Sequence, residues 1–411
     1  MKIAGIVAEY NPFHTGHAHL IDRTRAPEEG CGATHIVAVM SGNFVQRGEP
    51  AVLPKAERVR TALAGGVDLV LELPLPWALS SAEGFAYGAI SLLHSLGCVD
   101  ALSFGSECGD LALLEQAADT LEHPRFFSLL AYHLEGGIPF PQARQRAVAE
   151  LRNEQVAALF AEANNTLGIE YIKALRQLAS PMQPFTVRRL GAGHDARLPV
   201  GDMASASFLR EAIRADRLMA ALAYMPAACA DILSQTARDG HLPAQISRIE
   251  RALLARLRTM SVQEMAQLPD VTEGLENRLY RAAREAESYE QLLEQVKTKR
   301  YPLTRIQRLV WSAFLGVQET DSRERYPDGL AWRQPPYVRV LGANDKGLDI
   351  LRLAKKSSAF LFSRSAQADQ LDPWGQRIWA LENRAADLYA LALPRPYPCG
   401  LEHTTGWIRE N

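Results

Sequence analysis

The first half of the chain alternates short apolar runs with stretches whose apolar positions recur at helical spacing. Residues 2–8, 35–40, 67–73 and 101–104 are short runs dominated by Ile, Val, Leu and Ala. Short runs with little polar alternation fit strands buried on both faces, as in a parallel sheet. Between them, residues 17–25, 54–64, 82–96 and 111–121 read as helices, with Pro54 placed for a first turn. The order β-α-β-α-β-α-β-α predicts a parallel sheet with helices on both faces. Residues 125–180 read as mainly helical around Gly136-Gly137-Ile138-Pro139-Phe140-Pro141. Residues 184–190 predict one more strand, followed by the loop Gly191-Ala192-Gly193-His194-Asp195, and 205–214 a helix that returns to the sheet. Beyond residue 215 the strand pattern fades, and 243–296 is rich in Ala, Leu, Arg and Glu at helical spacing. Residues 337–341 and the helix after them predict a small α/β unit near the end. The expected division is a sheet domain over 1–220 and a mainly helical domain over 221–411.

A sheet of this kind binds ligands at the carboxyl ends of its strands, so a Rossmann-like nucleotide fold is expected. Tyr10-Asn11-Pro12-Phe13-His14-Thr15-Gly16-His17 falls where the first strand ends and the first helix begins. A helix N-terminus attracts phosphate. His14 and His17, three apart on an opening turn, would share one face. Their imidazoles can donate to phosphate oxygens and stabilise charge developing at phosphorus. Gly16 lets another group, such as an adenine ring, pack directly on backbone. The same residues have two plainer readings. A zinc site from His14, His17 and His19 lacks a Cys or paired carboxylate to complete it, and a turn can simply hold two structural histidines. A second stretch, Ala204-Ser205-Ala206-Ser207-Phe208-Leu209-Arg210, offers a serine cap, a hydroxyl and an arginine one turn in. Such a helix start would clasp a triphosphate, or be an ordinary Ser-capped surface helix.

Composition narrows the field. With 45 basic and 47 acidic residues the formal charge is −2, which excludes a histone-like polycation but leaves room for a local basic face. Five scattered cysteines form no CxxC pair and favour neither a disulfide framework nor a cysteine zinc site. No apolar run approaches the ~20 residues of a membrane span. The N-terminus turns polar too soon for a signal peptide. A cytoplasmic location is the expectation.

The pairing of HxGH with a later S-x-S-x-x-R helix resembles the nucleotidylyltransferase superfamily, whose members attack the α-phosphate of ATP and release pyrophosphate. Longer runs are more specific. Ala8-Glu9-Tyr10-Asn11-Pro12-Phe13-His14-Thr15-Gly16-His17 and Met40-Ser41-Gly42-Asn43-Phe44-Val45-Gln46-Arg47-Gly48-Glu49-Pro50-Ala51 resemble the bacterial tRNA(Met) cytidine acetate ligase family. So do Ser103-Phe104-Gly105-Ser106-Glu107, Asn164-Asn165-Thr166-Leu167-Gly168-Ile169-Glu170-Tyr171 and Val187-Arg188-Arg189-Leu190-Gly191-Ala192-Gly193-His194-Asp195. Arg305-Ile306-Gln307-Arg308 and Tyr337-Val338-Arg339-Val340-Leu341-Gly342 extend the likeness, in order, over nearly the whole chain. Two departures are mild: Thr15 stands where Asn is usual, and Ala206-Ser207 where Ser or Ala is followed by Thr.

The resemblance implies a two-step ligase. Acetate attacks ATP to give acetyl-adenylate and pyrophosphate. The N4 amine of the wobble cytidine of elongator tRNA(Met) then takes the acetyl group and releases AMP. It implies an ATP floor formed by Val7, Ala8, Glu9, Tyr10, Asn11, Pro12, Phe13, His14, Thr15, Gly16, His17, Ala18, His19 and Leu20, with His14 and His17 on the phosphates. Gly105 would meet the nucleotide through its backbone. Asn164 would touch it or cap a helix. Of Arg188 and Arg189, which alternate on a strand, Arg189 is favoured for phosphate or ribose. Ser207 and Arg210 would hold the β- and γ-phosphates. Lys55 would meet phosphate or carboxylate, or be a solvated lysine. Asn43, Gln46 and Arg47 would approach the acyl group or the cytidine, or be ordinary loop residues. Mg²⁺ is expected with the phosphates, with no protein ligand named. For tRNA, the acid-free stretch with Lys297, Lys299, Arg300, Arg305 and Arg308 is the first basic strip, and Arg339, Lys346, Lys355 and Lys356 the second. A solvated helical face is the plain reading of both. Two alternatives remain at this stage: another HxGH adenylyltransferase acting on a small substrate, and a non-catalytic RNA-binding protein.

Overall fold

A computed structural model describes residues 1–28, 30–190, 201, 203–272, 274–298, 301–326, 329–357 and 359–410. The loop expected over Gly191–Asp195 and the basic residues Lys299 and Arg300 lie outside them. Five strands form the heart of the sheet: β1 (Ile3–Ala8), β2 (His35–Ser41), β3 (Leu69–Leu73), β4 (Ala101–Ser106) and β5 (Gln183–Arg188). Three more come from the C-terminal part: β6 (Val338–Ala343), β7 (Leu361–Phe362) and β8 (Ile408–Arg409). The order is β7–β6–β3–β2–β1–β4–β5, with β8 also beside β6.

From β3 to β5 every pair is parallel, as the unbroken apolar runs predict. Successive residues of β2 show why those runs lack alternation. Val37 and Val39 enter one core, Ile36, Ala38 and Met40 the other, and all five are fully buried. Both faces of the strand are dry, so neither can be polar. The order 3-2-1-4-5 reverses direction between β1 and β4, and a doubly wound sheet binds its ligand at such a reversal.

The strand expected near 337–341 founds no small unit of its own. It forms β6 and pairs antiparallel with β3, with Arg339 opposite Glu72. The sheet therefore takes strands from both sides of residue 220. An apolar run reports that it will be buried, not which sheet edge it will cover.

The helices that frame the site are α1 (Thr15–Arg25), α2 (Lys55–Ala64), α3 (Ala82–Ser95), α4 (Leu111–Leu121), α5 (Ala163–Gln177) and α6 (Ala206–Arg214). Pro54 sits at the cap position of α2, just outside the first turn in which it was expected. Gly5 lets α3 lie directly on β1, since a Cβ there would meet Leu93 Cδ1 at 2.6 Å. Beyond α6 the chain is mainly helical, including Ile246–Thr259, Leu275–Glu285, Tyr289–Val296 and α7 (Leu303–Leu315). A last long helix, α8 (Pro373–Ala390), contacts α7. Among the described residues no helix is long and apolar enough to cross a membrane.

Candidate active site

A cavity of about 180 Å³ lies at the carboxyl ends of β1, β4 and β5, at the point of reversal. Its floor begins with β1 itself, through Ile6, Val7 and Ala8, and continues into the turn that leads to α1.

That turn is built from its side chains. Tyr10 takes a positive φ of 46° and the Asn11–Pro12 peptide is cis. Asn11 Oδ1 accepts from the Val52 N–H at 2.7 Å, and its carbonyl accepts from Arg210 Nη1 at 3.0 Å. Phe13 is fully buried and seats on Gly65, where a Cβ would meet the ring at 2.2 Å. His14 then caps α1 in place of the usual Ser or Asp: its Nδ1 accepts from the Gly16 N–H at 3.0 Å. His17 reaches back, and its Nδ1 accepts from the His14 N–H at 3.2 Å. The two rings lie with centroids 3.9 Å apart and tilted by 35°.

This reciprocal cap fixes the tautomers. A ring nitrogen that accepts cannot carry the proton, so in each neutral ring the proton sits on Nε2. Burial, the adjacent His14 ring and the Arg189 charge all push His17 well below the ordinary imidazole range. His17 is therefore a neutral donor at neutral pH. The need for Gly16 also becomes clear. A Cβ there would lie 2.8 Å from His14 Cε1, so the space on the Cβ side of the glycine is taken by the His14 ring.

The other predicted residues divide by position. Val7, Ala8, Glu9, Tyr10, Asn11, His14, Gly16, His17, His19 and Leu20 line the cavity, as do Gly105, Asn164, Arg188, Arg189 and Arg210. Pro12, Phe13, Thr15, Ala18 and Ser207 do not line it. Phe13 is core, and Ser207 Oγ accepts from Arg210 Nη2 at 3.2 Å. Gly105 lies within β4, and the Arg189 side chain crosses over it with Cγ 3.3 Å from where a Cβ would be. Arg189 is partly buried, and burial lowers its pKa against the pull of Glu107. Arg188 is exposed and packs over Gly109 instead. The strand alternation thus turns Arg189 toward His17.

Asn164 is not a helix cap. It is the second residue of α5, whose cap position, Glu162, makes no side-chain cap bond. The free N–H groups of α5 are met by Glu107 from the loop after β4: Oε2 accepts from Asn165 N at 2.8 Å and Oε1 from Asn164 N at 3.3 Å, and Oε1 also accepts from the Asn164 side-chain Nδ2 at 2.6 Å. Sequence reasoning gave Glu107 no role, because a carboxylate that caps a helix from 57 residues away leaves no local pattern.

Arg210, although in the cavity wall, is held on three sides. Nε pairs with Glu49 at 3.1 Å, and Nη1 and Nη2 donate to Asn11 and Ser207. Glu49 also pairs with Arg214 at 3.0 Å. Arg58, unassigned from sequence, is fully buried and ties two loops together: Nη1 donates to the Glu9 carbonyl at 2.6 Å and Nη2 to the Gly42 carbonyl. Burial lowers its pKa to about 10, so it stays charged at neutral pH. Gln46 and Arg47 line the cavity, and the Gln46 N–H donates to Glu9 Oε1 at 2.8 Å. Burial pushes the Glu9 carboxyl up.

Three further expectations are corrected. Lys55 is buried, not solvated, and lines the second cavity rather than the first. Lys55, Glu72, Arg339 and Glu402 close a ring of ion pairs, with Lys55 2.6 Å from both Glu72 and Glu402. Arg339 completes it, 2.6 Å from Glu72 and in contact with Glu402, so it is no surface contact for RNA phosphate. Burying Lys55 and Arg339 is tolerable only because each meets two carboxylates. Asn43 is buried and lines a second cavity, not the first. In the first basic strip, Arg305 Nη2 donates inward to the Asp270 carbonyl at 2.7 Å and to Thr272 Oγ1 at 2.8 Å. Arg308 is partly buried, with Nε enclosed, while Lys297 is exposed at the end of Tyr289–Val296.

The model of the HIGH nucleotidyl transferase family matches residues 1–400. A tRNA(Met) cytidine acetate ligase of Alkaliphilus metalliredigens is 37% identical over 410 residues, covering 96% of this chain and 95% of its own. The enzyme of the same name from Clostridium kluyveri is 40% identical over 375 residues, covering 87% and 88%. The crystal structure of Thermotoga maritima TmcAL bound with alpha-thio ATP superposes with a TM-score of 0.90 at 30% identity, over 100% of both chains. Its apo form superposes with a TM-score of 0.92, over 100% of this chain and 99% of that one. The chain belongs to the HIGH nucleotidyl transferases and, within them, to the tRNA(Met) cytidine acetate ligase family.

Proposed function

We propose that the protein is an ATP-dependent acetate ligase that acetylates N4 of the wobble cytidine of elongator tRNA(Met). The observation that carries this reading is the reciprocally capped pair His14 and His17, with His17 held neutral, beside Arg189 at the reversal point of a doubly wound sheet. ATP lies in the cavity at the end of β1, and acetate attacks its α-phosphorus, expelling pyrophosphate. The cytidine amine then attacks the acyl carbon of acetyl-adenylate, AMP leaves, and the amine loses a proton.

Each step matches what this site can supply. A free carboxylate is a poor electrophile, and adenylation gives it a good leaving group. A cytosine amine is a weak nucleophile, its lone pair delocalised into the ring, so it needs an activated acyl donor. Neither step requires a nucleophile from the protein. What is required is positioning and stabilisation of phosphate charge. The Nε2–H groups of His14 and His17 and the guanidinium of Arg189 supply donors without a proton being transferred. Arg210, held by Glu49 and Asn11, adds a further positive charge to the cavity lining. Mg²⁺ would arrive on the triphosphate, whose oxygens suit a hard cation. Among the described residues no three His, Cys, Asp or Glu side chains cluster to hold a metal.

The helical region beyond residue 220, with the exposed Lys297, is the part proposed to meet the tRNA. The first half-reaction is tested by acetate-dependent exchange of labelled pyrophosphate into ATP. His14→Ala and His17→Ala lose exchange by about a hundredfold or more while still binding tRNA. Exchange that survives both substitutions contradicts the assignment.

A further inference from the structure

A second cavity encloses about 230 Å³. It is room for several waters at ~30 Å³ each, too large for a packing defect. Its floor is the ion-pair ring of Lys55, Arg339 and Glu402. One wall is the start of α2, where no side chain caps the helix. Another is aromatic, with Phe362, Trp379 and Trp407. Six charged side chains line it, four basic (Lys55, Arg60, Arg339, Arg364) and two acidic (Glu57, Glu402).

The rings are not equally available. Arg339 lies over Trp379 at 4.6 Å, and Phe362 meets the same ring at 4.8 Å. Trp407 packs along one side of the core and is partly exposed, and among the described residues no ring or guanidinium stacks on it. Arg60 and Arg364 are exposed at the same rim.

We infer that this cavity takes a second, unstacked nucleobase of the RNA substrate, stacked on Trp407, with Arg60 and Arg364 on its flanking phosphates. A flat heterocycle over an aromatic ring with cations beside it is how single-stranded nucleic acid is held. The inference rests on the proposed tRNA reading. The base cannot be the one that is acetylated. The floor of this cavity lies between β3 and β6, three strand spacings from the gap between β1 and β4, or about 14 Å. That distance exceeds the reach of one nucleotide, but neighbours in a splayed loop can span it. Asn43 in this cavity and Gln46 in the first are only three residues apart, on either side of the short strand Phe44–Val45, so one segment borders both sites.

The test measures binding of an unmodified elongator tRNA(Met) transcript. Trp407→Ala should weaken the Kd about tenfold or more, Trp407→Phe should restore most of it, and acetate-dependent pyrophosphate exchange should be unchanged in both. Arg364→Ala, which cannot disturb the core, should weaken binding and reduce the salt slope by about one. Wild-type RNA affinity in both Trp407→Ala and Arg364→Ala overturns the inference and leaves the cavity to a small metabolite. No RNA binding by the wild type overturns the tRNA reading itself and this inference with it.

Discussion

Gly16 shows how a single missing side chain serves the chemistry. It is the second residue of α1, where alanine would favour the helix by up to ~1 kcal/mol. Its Cβ would nevertheless strike the His14 ring. Gly16→Ala should leave thermal stability within about 1 kcal/mol of wild type, yet lower pyrophosphate exchange at least about tenfold. A variant as active as wild type would show that the ring position is immaterial. This residue also marks what was legible from sequence. The HxGH spacing, its place after the first strand and the favoured Arg189 could all be read from neighbours along the chain. The reason for the glycine could not, because it depends on a ring folding back over its own backbone. Glu107, Arg58 and Glu49 were illegible for a related reason: each acts on a partner more than thirty residues away.

At the scale of elements, the loop after β2 joins the site to the helical part. Gln46 is bonded to Glu9, Glu49 to Arg210 and Arg214, and Gly48 lies directly on α7. Gly48 has φ of 77°, and a Cβ there would sit 2.5 Å from the Arg308 backbone nitrogen. Gly48→Ala should cost roughly 1–3 kcal/mol, since left-handed strain and the clash act together. It should also raise the KM for ATP by displacing the Glu49–Arg210 pair. Unchanged melting and unchanged KM would mean that the loop is not seated on α7. The boundaries of β1, β2 and α4 were legible within a residue or two, because periodicity is local. The pairing of β6 with β3 was not, because an apolar run is silent about its neighbour.

For the whole molecule, the buried carboxylates of α8 and the C-terminal segment lock the late chain onto the early sheet. Glu402 joins Lys55 and Arg339, and Glu382 accepts from the Leu75 N–H. Burial and the adjacent Glu72 raise Glu382 to about 8, while Lys55 and Arg339 lower Glu402 to about 2. The signs are opposite. Folded Glu382 keeps a proton that the unfolded chain releases above its ordinary value near 4.5, so its burial costs stability as pH rises from 4.5 to 8. Glu402 contributes stability above 4.5 that is lost as pH falls toward 2. Within its window Glu382 should cost on the order of 1 kcal/mol per pH unit. Glu382→Gln should therefore flatten the decline in Tm between pH 5 and pH 8. A decline as steep as in wild type would assign it to other groups.

One reaction requires the adenylating site and the tRNA-binding part to act together. Purified protein is incubated with ATP, Mg²⁺, labelled acetate and unacetylated bacterial tRNA, without coenzyme A, and the RNA is digested to nucleosides. The digest should contain labelled N4-acetylcytidine that requires ATP and is lost when His17 is replaced by Ala. Intact tRNA that carries no label, from protein that binds both ATP and tRNA, would contradict it.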